Sequence, residues 1–174
     1  KAIGCSNFSA DQLDEMAAAA KADGVTPFQT VQNRYSVLTR SPETDGVLEA
    51  CTRNNVGFVP YFPLESGLLT GKVRKGQDAP EGTRLASDMG RMFLAGDMLD
   101  RAESLISYAE GHNQTILELA FSWLLAQANV VSVIAGATKP EQIAGNAGAA
   151  GWAMISCAVR PSVVSLVNAV DRPN

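Results

Sequence analysis

Four short runs hold most of the polar and aromatic chemistry of this chain: Ser6-Asn7, Gln32 to Tyr35, Tyr61 through Gly67, and Gly136-Ala137-Thr138. Each follows directly on an apolar run of strand character. In parallel α/β architectures ligands sit at the C-terminal ends of the strands, so these four runs are where a binding site belongs. Together they offer hydroxyls, amides, an aromatic face and a glycine that admits close backbone approach, a set suited to a cofactor. The last run leads into a helix N-terminus, whose unpaired N–H groups and partial positive charge favour phosphate. No Gly-x-Gly-x-x-Gly run is present, so a Rossmann-type site has no support.

The elements that must position these runs alternate. Ala2–Cys5, Phe28–Tyr35, Phe58–Tyr61 and Val130–Ala135 read as strands, the third continuously apolar as a strand buried on both faces is. Ser9 opens a helix with Gln12 as its capping box, Leu13, Met16, Ala17 and Ala20 form one stripe, and Gly24 ends it. Ser41-Pro42-Glu43 starts a second helix with proline at the first helical position; Val47, Leu48 and Cys51 form its inner face, and Gly57 follows its end. A long loop rich in Gly and Pro runs from about Phe62 to Ala95, and a loop of that length is usually functional or disordered. Helices follow over Leu99–Ala109 and Thr115–Gln127, and Thr138-Lys139-Pro140-Glu141 is a capping box for the last.

Four strand–helix units in a row predict a parallel sheet with helices outside it, half the number that closes an eight-stranded (β/α)8 barrel. An open half would expose two strand edges, so the architecture asks for a partner. Residue 1 is Lys and lies almost inside a strand, which points to a fragment.

The motifs resemble those of the aldo-keto reductase family. Ile3-Gly4-Cys5-Ser6-Asn7-Phe8 is similar to the family's fifth barrel strand, Gln32 with Tyr35-Ser36 to the sixth, and Tyr61-Phe62-Pro63-Leu64 through Gly67-Leu68-Leu69-Thr70-Gly71-Lys72 to the segment after the seventh. Ile134 through Asn146 resembles the eighth strand and its helix. Four matches in order cover about residues 1–150, the C-terminal half of the (β/α)8 TIM barrel. On this resemblance the chain divides into a cofactor-binding half over 1–152 and a divergent tail over 153–174, Val- and Ser-rich and broken by Pro161.

The resemblance implies NADPH as cofactor, with NADH the alternative, and a small aldehyde or ketone as substrate of the intact protein. Ser6, Asn7 and Gln32 would hydrogen-bond the nicotinamide carboxamide, and Tyr61 would stack on the ring. Phe62, Pro63, Leu64, Ser66, Gly67 and Leu68 would wrap the pyrophosphate, with Lys72 and Arg84 supplying cations. Gly136, Thr138, Gln142 and Asn146 would hold the adenosine end, Thr138 also capping its helix. Tyr35 is placed on the cofactor side as well. Gly145 stands where many members carry Glu, which removes an adenine contact. The long loop and the Gly-x-Thr-x-x-x-Gln pattern favour the bacterial and potassium-channel-β-like branch.

In the family a Tyr protonates the carbonyl oxygen, tuned by a Lys paired with an Asp and assisted by a His, and all four come from the first half of the barrel. Nothing here matches them. The single histidine, His112, sits in a helix–turn sequence, so no catalytic residue is assigned. The alternative, from a different class, is a non-catalytic dinucleotide-binding half barrel that self-associates or pairs with a separate first half.

Composition excludes other classes. The net charge is −4, and Lys72 to Lys75 is too short a basic run to hold a nucleic-acid backbone. The most apolar stretch, Leu117 to Ala135, is broken by Glu118, Ser122, Gln127 and Asn129, so no membrane span is expected. Cys5, Cys51 and Cys157 lack metal-ligand spacing and read as reduced thiols of a cytoplasmic protein, serving as small buried apolar residues.

Overall fold

The computed structural model describes residues 1–87, 90, 92–94 and 97–152; the expected tail over 153–174, with Cys157, lies outside them. Three short strands run parallel in the order β1 (Gly4–Ser6), β2 (Thr30–Gln32) and β3 (Gly57–Phe58). Gly4 pairs with Thr30, Cys5 with Val31 and Ser6 with Gln32; Thr30 then pairs with Gly57 and Val31 with Phe58. The ladder is shorter than the apolar runs predicted, for a local reason. Pro60 has no N–H to donate, so regular pairing stops after β3 and resumes only as a parallel bridge between Arg34 and Tyr61.

The expected fourth strand, Val130–Ala135, is a bridged segment rather than a strand. Val130 bridges Phe58 in parallel, and Phe58 N–H donates to the Asn129 carbonyl at 2.7 Å. Val131 and Ile134 then donate to the carbonyls of Phe58 and Pro60 at 3.1 and 3.2 Å, but Pro60 cannot reciprocate. Two glycines set the spacing of this layer. A Cβ on Gly4 would lie 2.4 Å from the Thr30 hydroxyl oxygen and 2.9 Å from its carbonyl oxygen; one on Gly57 would lie 2.8 Å from a Val131 methyl.

Helix α1 (Ala10–Asp23) begins as expected: Ser9 Oγ accepts from Gln12 N–H at 3.3 Å, and Gln12 Oε1 accepts from Ser9 N–H at 2.9 Å. It ends at Gly24 in the left-handed region, φ 64°. The second expected helix is split. α2 (Ser41–Thr44) stops before Gly46, whose φ of 81° breaks the helix, and α3 (Val47–Asn54) starts anew and ends at Asn55 rather than at Gly57, which belongs to β3. α1 and α3 are tied by Arg53 and Asn54, which donate to the Asp14 carboxylate at 2.7 and 2.6 Å.

The loop after β3 is packed rather than open. It contains 3₁₀ turns at Glu65–Thr70, Arg84–Ala86 and Met92–Leu94, and Leu68, Leu69, Val73 and Leu85 are all buried. α4 (Met98–Gly111) and α5 (Ile116–Leu125, with a Thr115–Glu118 capping box) follow, then α6 (Pro140–Gly148). Among the described residues no helix is long and apolar enough to cross a membrane.

Tyr35, Phe58 and Trp123 form the centre of the core, with Tyr35 ring centroids 5.6 Å from Phe58 and 5.3 Å from Trp123. Tyr35 is fully buried and its hydroxyl donates to Glu43 at 2.8 Å. This corrects its expected place on the cofactor side: it lies in the interior, away from the strand-end surface.

Cys5 and Cys51 are free thiols, and Cys51 on α3 is buried. Burial, and secondly the neighbouring Cys5, push the Cys51 thiol up from 9.0 to about 11. The folded chain thus keeps this proton to a higher pH than the unfolded chain, and ionisation favours unfolding. Stability should be intact below pH 9.0 and fall as pH rises toward 11. Urea melts at about pH 8 and about pH 10 should show a smaller alkaline loss in Cys51→Ala than in the parent; equal losses would refute the assignment. Gly4→Ala should destabilise the chain by about 1–3 kcal/mol, because the Thr30 carbonyl cannot yield without moving β2.

Candidate functional site

Past the strand ends, Ser6, Asn7, Gln32 and Tyr61 form one hydrogen-bonded knot. The Gln32 carbonyl accepts from the Ser6 hydroxyl at 2.8 Å and from Asn7 N–H at 3.0 Å. Asn7 holds a left-handed backbone, φ 59°, which asparagine tolerates better than most side chains. Its Oδ1 accepts from the Tyr61 hydroxyl at 2.8 Å. These bonds decide what remains on offer. With Oδ1 occupied, Asn7 presents its Nδ2 donors; with its hydrogen committed, Ser6 Oγ presents lone pairs. One donor beside one acceptor is the complement of a primary carboxamide.

The chain then turns sharply after Tyr61. Phe62, Glu65 and Ser66 all have positive φ (54°, 45° and 57°), and Gly67 follows at 109°, a region only glycine occupies readily. A Cβ on Gly67 would meet no atom within 4 Å, so open space lies where a ligand would approach the backbone. Pro63 and Leu68 are buried and Leu64 packs on the core, leaving the main chain as what this turn offers outward. Ser66 is half-buried and Phe62 is 41% exposed, its ring edge-on to Tyr61 at 5.4 Å and to Phe93 at 6.3 Å.

Residues that sequence reasoning did not single out hold the turn. Glu65 is fully buried; Ser36 Oγ donates to its Oε1 and Arg34 Nη2 to its Oε2, both at 2.5 Å. The Arg34 guanidinium lies 5.3 Å from the centre of the Phe93 ring. The available signal was a charged residue in each of two otherwise uncharged strand-end runs, 31 positions apart. Between the first two loops lies a cleft of about 300 Å³, with Asn7, Asn33, Arg34 and Tyr61 among its lining. Two buried polar atoms there, Asn33 Oδ1 and Arg34 Nε, have no hydrogen-bond partner.

The remaining expected residues lie elsewhere. Lys72 and Arg84 are exposed, and neither is ion-paired among the described residues. Gly136 and Thr138 are exposed, and Asn146 is half-buried on α6. Gln142 Oε1 accepts from Thr138 N–H at 2.7 Å, from Thr138 Oγ1 at 3.2 Å and from Lys139 N–H at 3.3 Å. Two corrections follow. Lys139, not Thr138, occupies the cap position, and these two amides at the start of α6 are already satisfied by Gln142 rather than left open. His112 closes α4, its Nδ1 2.8 Å from the Tyr108 carbonyl and its ring against Tyr108. No hydrogen bond between described residues links the Thr138–Gln142 pair to the Ser6–Tyr61 knot.

Known proteins resemble the chain over the stretch that contains these residues. It is 33% identical to the NADH-specific methylglyoxal reductase of Escherichia coli (strain K12) over 152 residues, 86% of this chain and 43% of that protein. It is 34% identical to a probable voltage-gated potassium channel subunit beta of Arabidopsis thaliana over 148 residues, 82% of this chain and 44% of that one. The NADP(+) aldo-keto reductase yakc of Schizosaccharomyces pombe is 32% identical over 150 residues, 84% and 42% of the two chains. The chain thus spans under half the length of these relatives. The aldo/keto reductase family pattern matches residues 1–154, a stretch that holds every element from β1 to α6, and the chain belongs to that family.

Proposed function

We propose that residues 1–152 form the second half of an aldo-keto reductase barrel, the cofactor-binding half of a cytoplasmic NADPH-dependent carbonyl reductase, with 153–174 as a separate tail. The observation that carries this reading is the Ser6–Asn7–Gln32–Tyr61 knot, whose free donor and acceptor match a nicotinamide carboxamide. Ser6, Asn7 and Gln32 hold the carboxamide and so fix which ring face is presented, while the Tyr61 ring, anchored through its hydroxyl, is the stacking surface. The turn from Phe62 to Leu68 wraps the pyrophosphate, offering the backbone N–H groups of Leu64 and Ser66 while those of Glu65 and Gly67 hold the turn itself, and Lys72 and Arg84 supply charge. Gly136, Thr138, Gln142 and Asn146 hold the adenosine end. There Gln142 keeps its Nε2 donors, since its Oε1 is committed to Thr138 and Lys139.

When bound, the dinucleotide would supply a hydride to the carbonyl carbon of an aldehyde or ketone, or take one from the carbinol carbon of the corresponding alcohol. This chain's part is to orient the ring, hold the phosphates and keep them in place. The acid–base residues are assigned to the other half. Lys72 and Arg84, with no ion pair among the described residues, favour NADPH, and NADH is the second candidate, since relatives are named for each.

Apolar side chains on the two outer edges support a covering partner: Ile3 beside β1 is 46% exposed, and Val131 and Ile134 beside β3 are 61% and 46% exposed. The same edges favour a second reading, a non-catalytic half barrel that pairs with its copy or with a separate first half. The mass of the native polypeptide separates the two. A chain of about 250 residues or more supports one continuous barrel, whereas a 174-residue chain sedimenting as a dimer supports the second.

Titration of the complete polypeptide carrying this chain should quench tryptophan fluorescence with NADPH at an affinity between about 1 μM and 1 mM, tighter than with NADH. Absence of saturation over that range would refute the reading. Tyr61→Phe removes one hydrogen bond and releases Asn7 Oδ1, so NADPH binding should weaken by about 2- to 10-fold. An unchanged affinity in this variant would show that the knot does not hold the cofactor.

A further inference from the structure

Glu65 is an expensive residue for its place. Its carboxylate is entirely out of water, although an apolar side chain of similar size would be buried at less cost. Both oxygens are satisfied, by Ser36 Oγ and Arg34 Nη2. Ser36 is itself fully committed, since its Oγ also accepts from the N–H groups of Leu38 and Thr39 at 3.1 and 2.9 Å. Glu65 therefore ties the turn after β3 to the turn after β2. Arg34 extends the tie, because its guanidinium lies against Phe93, and Phe93 meets Phe62.

The tied segment is the one whose backbone is most unusual. Phe62, Glu65 and Ser66 stand in the left-handed region within five positions, an arrangement that persists only where surrounding contacts over-determine it. Within it the N–H groups of Glu65 and Gly67 are bonded to the carbonyls of Phe62 and Leu64 at 3.1 and 2.8 Å, so the backbone donors such a turn could aim at an anion are those of Leu64 and Ser66. Charge alone would argue against a carboxylate beside an anion site, so its presence calls for a geometric reason.

Resting on the reading above, in which this turn wraps the pyrophosphate, we propose that Glu65, paired with Arg34, is a positioning residue that holds the pyrophosphate-binding turn in its left-handed conformation. The pair touches no reacting atom. It raises the fraction of molecules in which the turn is competent to bind, and apparent affinity scales with that fraction.

Glu65→Gln in the complete polypeptide tests this, because electrostatics and positioning predict opposite signs. Removing a negative charge beside a diphosphate should tighten binding if charge alone acts, whereas loss of the clamp should weaken NADPH by about tenfold. Adenosine 2′,5′-bisphosphate, which lacks the pyrophosphate bridge, should change by less than about twofold. Arg34→Gln, on a side chain 38% exposed, should weaken NADPH similarly, and the double variant Glu65→Gln/Arg34→Gln, which leaves no buried charge unpaired, carries the test if a single variant does not fold. The double variant should be no weaker than either single one, as for two groups acting as a unit. Unchanged or tighter NADPH binding, or parallel weakening of both ligands, would overturn the positioning role. A parent protein that binds no NADPH would overturn the functional reading itself.

Discussion

One buried ring, Tyr35, determines where the strand ends stand. It packs between Phe58 of β3 and Trp123 of α5, and its hydroxyl reaches Glu43 of α2. A phenol hydroxyl taken out of water needs a partner, and Glu43 can serve because Arg40 neutralises it while lying over the other face of the same cluster, 5.4 Å from Trp123. β2's extension, β3, α2 and α5 are thereby locked to one side chain. With the layer below fixed, the polar groups past the strand ends have a rigid floor.

The consequence is visible in the backbone. Of the six non-glycine residues with positive φ among the described residues, four (Asn7, Phe62, Glu65 and Ser66) lie just past the ends of β1 and β3. Each such residue costs on the order of 1–3 kcal/mol, so a cluster of them needs a firm support and marks a place where shape matters more than stability. Asn7 is supported by Gln32 and Tyr61, and Glu65 by Ser36 and Arg34. In both cases the support crosses from one strand-end loop to another. The site is therefore a property of the sheet's register and cannot be assembled from any single loop.

This division explains which features were legible in the sequence. The start and end of α1 rest on Ser9, Gln12 and Gly24, neighbours along the chain, and the structure follows them closely. Parallel order followed from four alternations of strand and helix, and the knot residues from the motifs at the strand ends. Pro60 is legible too, and its effect is on pairing rather than on apolar pattern: without its N–H, β3 closes early and the fourth strand shrinks to a bridge. Tyr35 was misplaced because facing inward depends on where the strand ceases to alternate, which pattern alone does not reveal. The Arg34–Glu65 pair joins residues 31 positions apart, and Gln142's hold on Thr138 and Lys139 depends on a rotamer; neither has a local signature.

A half barrel that carries the cofactor surface, as proposed, would need cover for its edges. Parallel sheets are stable when both faces and both edges are covered, and here the outer edges present Ile3, Val131 and Ile134 while α6 buries none of its residues and leaves Ile143 63% exposed. The knot and the strained turn, in contrast, are held by hydrogen bonds between the strand-end loops themselves. Cofactor recognition would thus be built and rigidified within one set of β/α units, before any partner arrives, and closing the barrel would add the acid–base groups against a ring already held. On the proposed reading, preorganisation of this kind would let the two halves vary separately, the covering half changing the substrate pocket while the binding half kept its geometry.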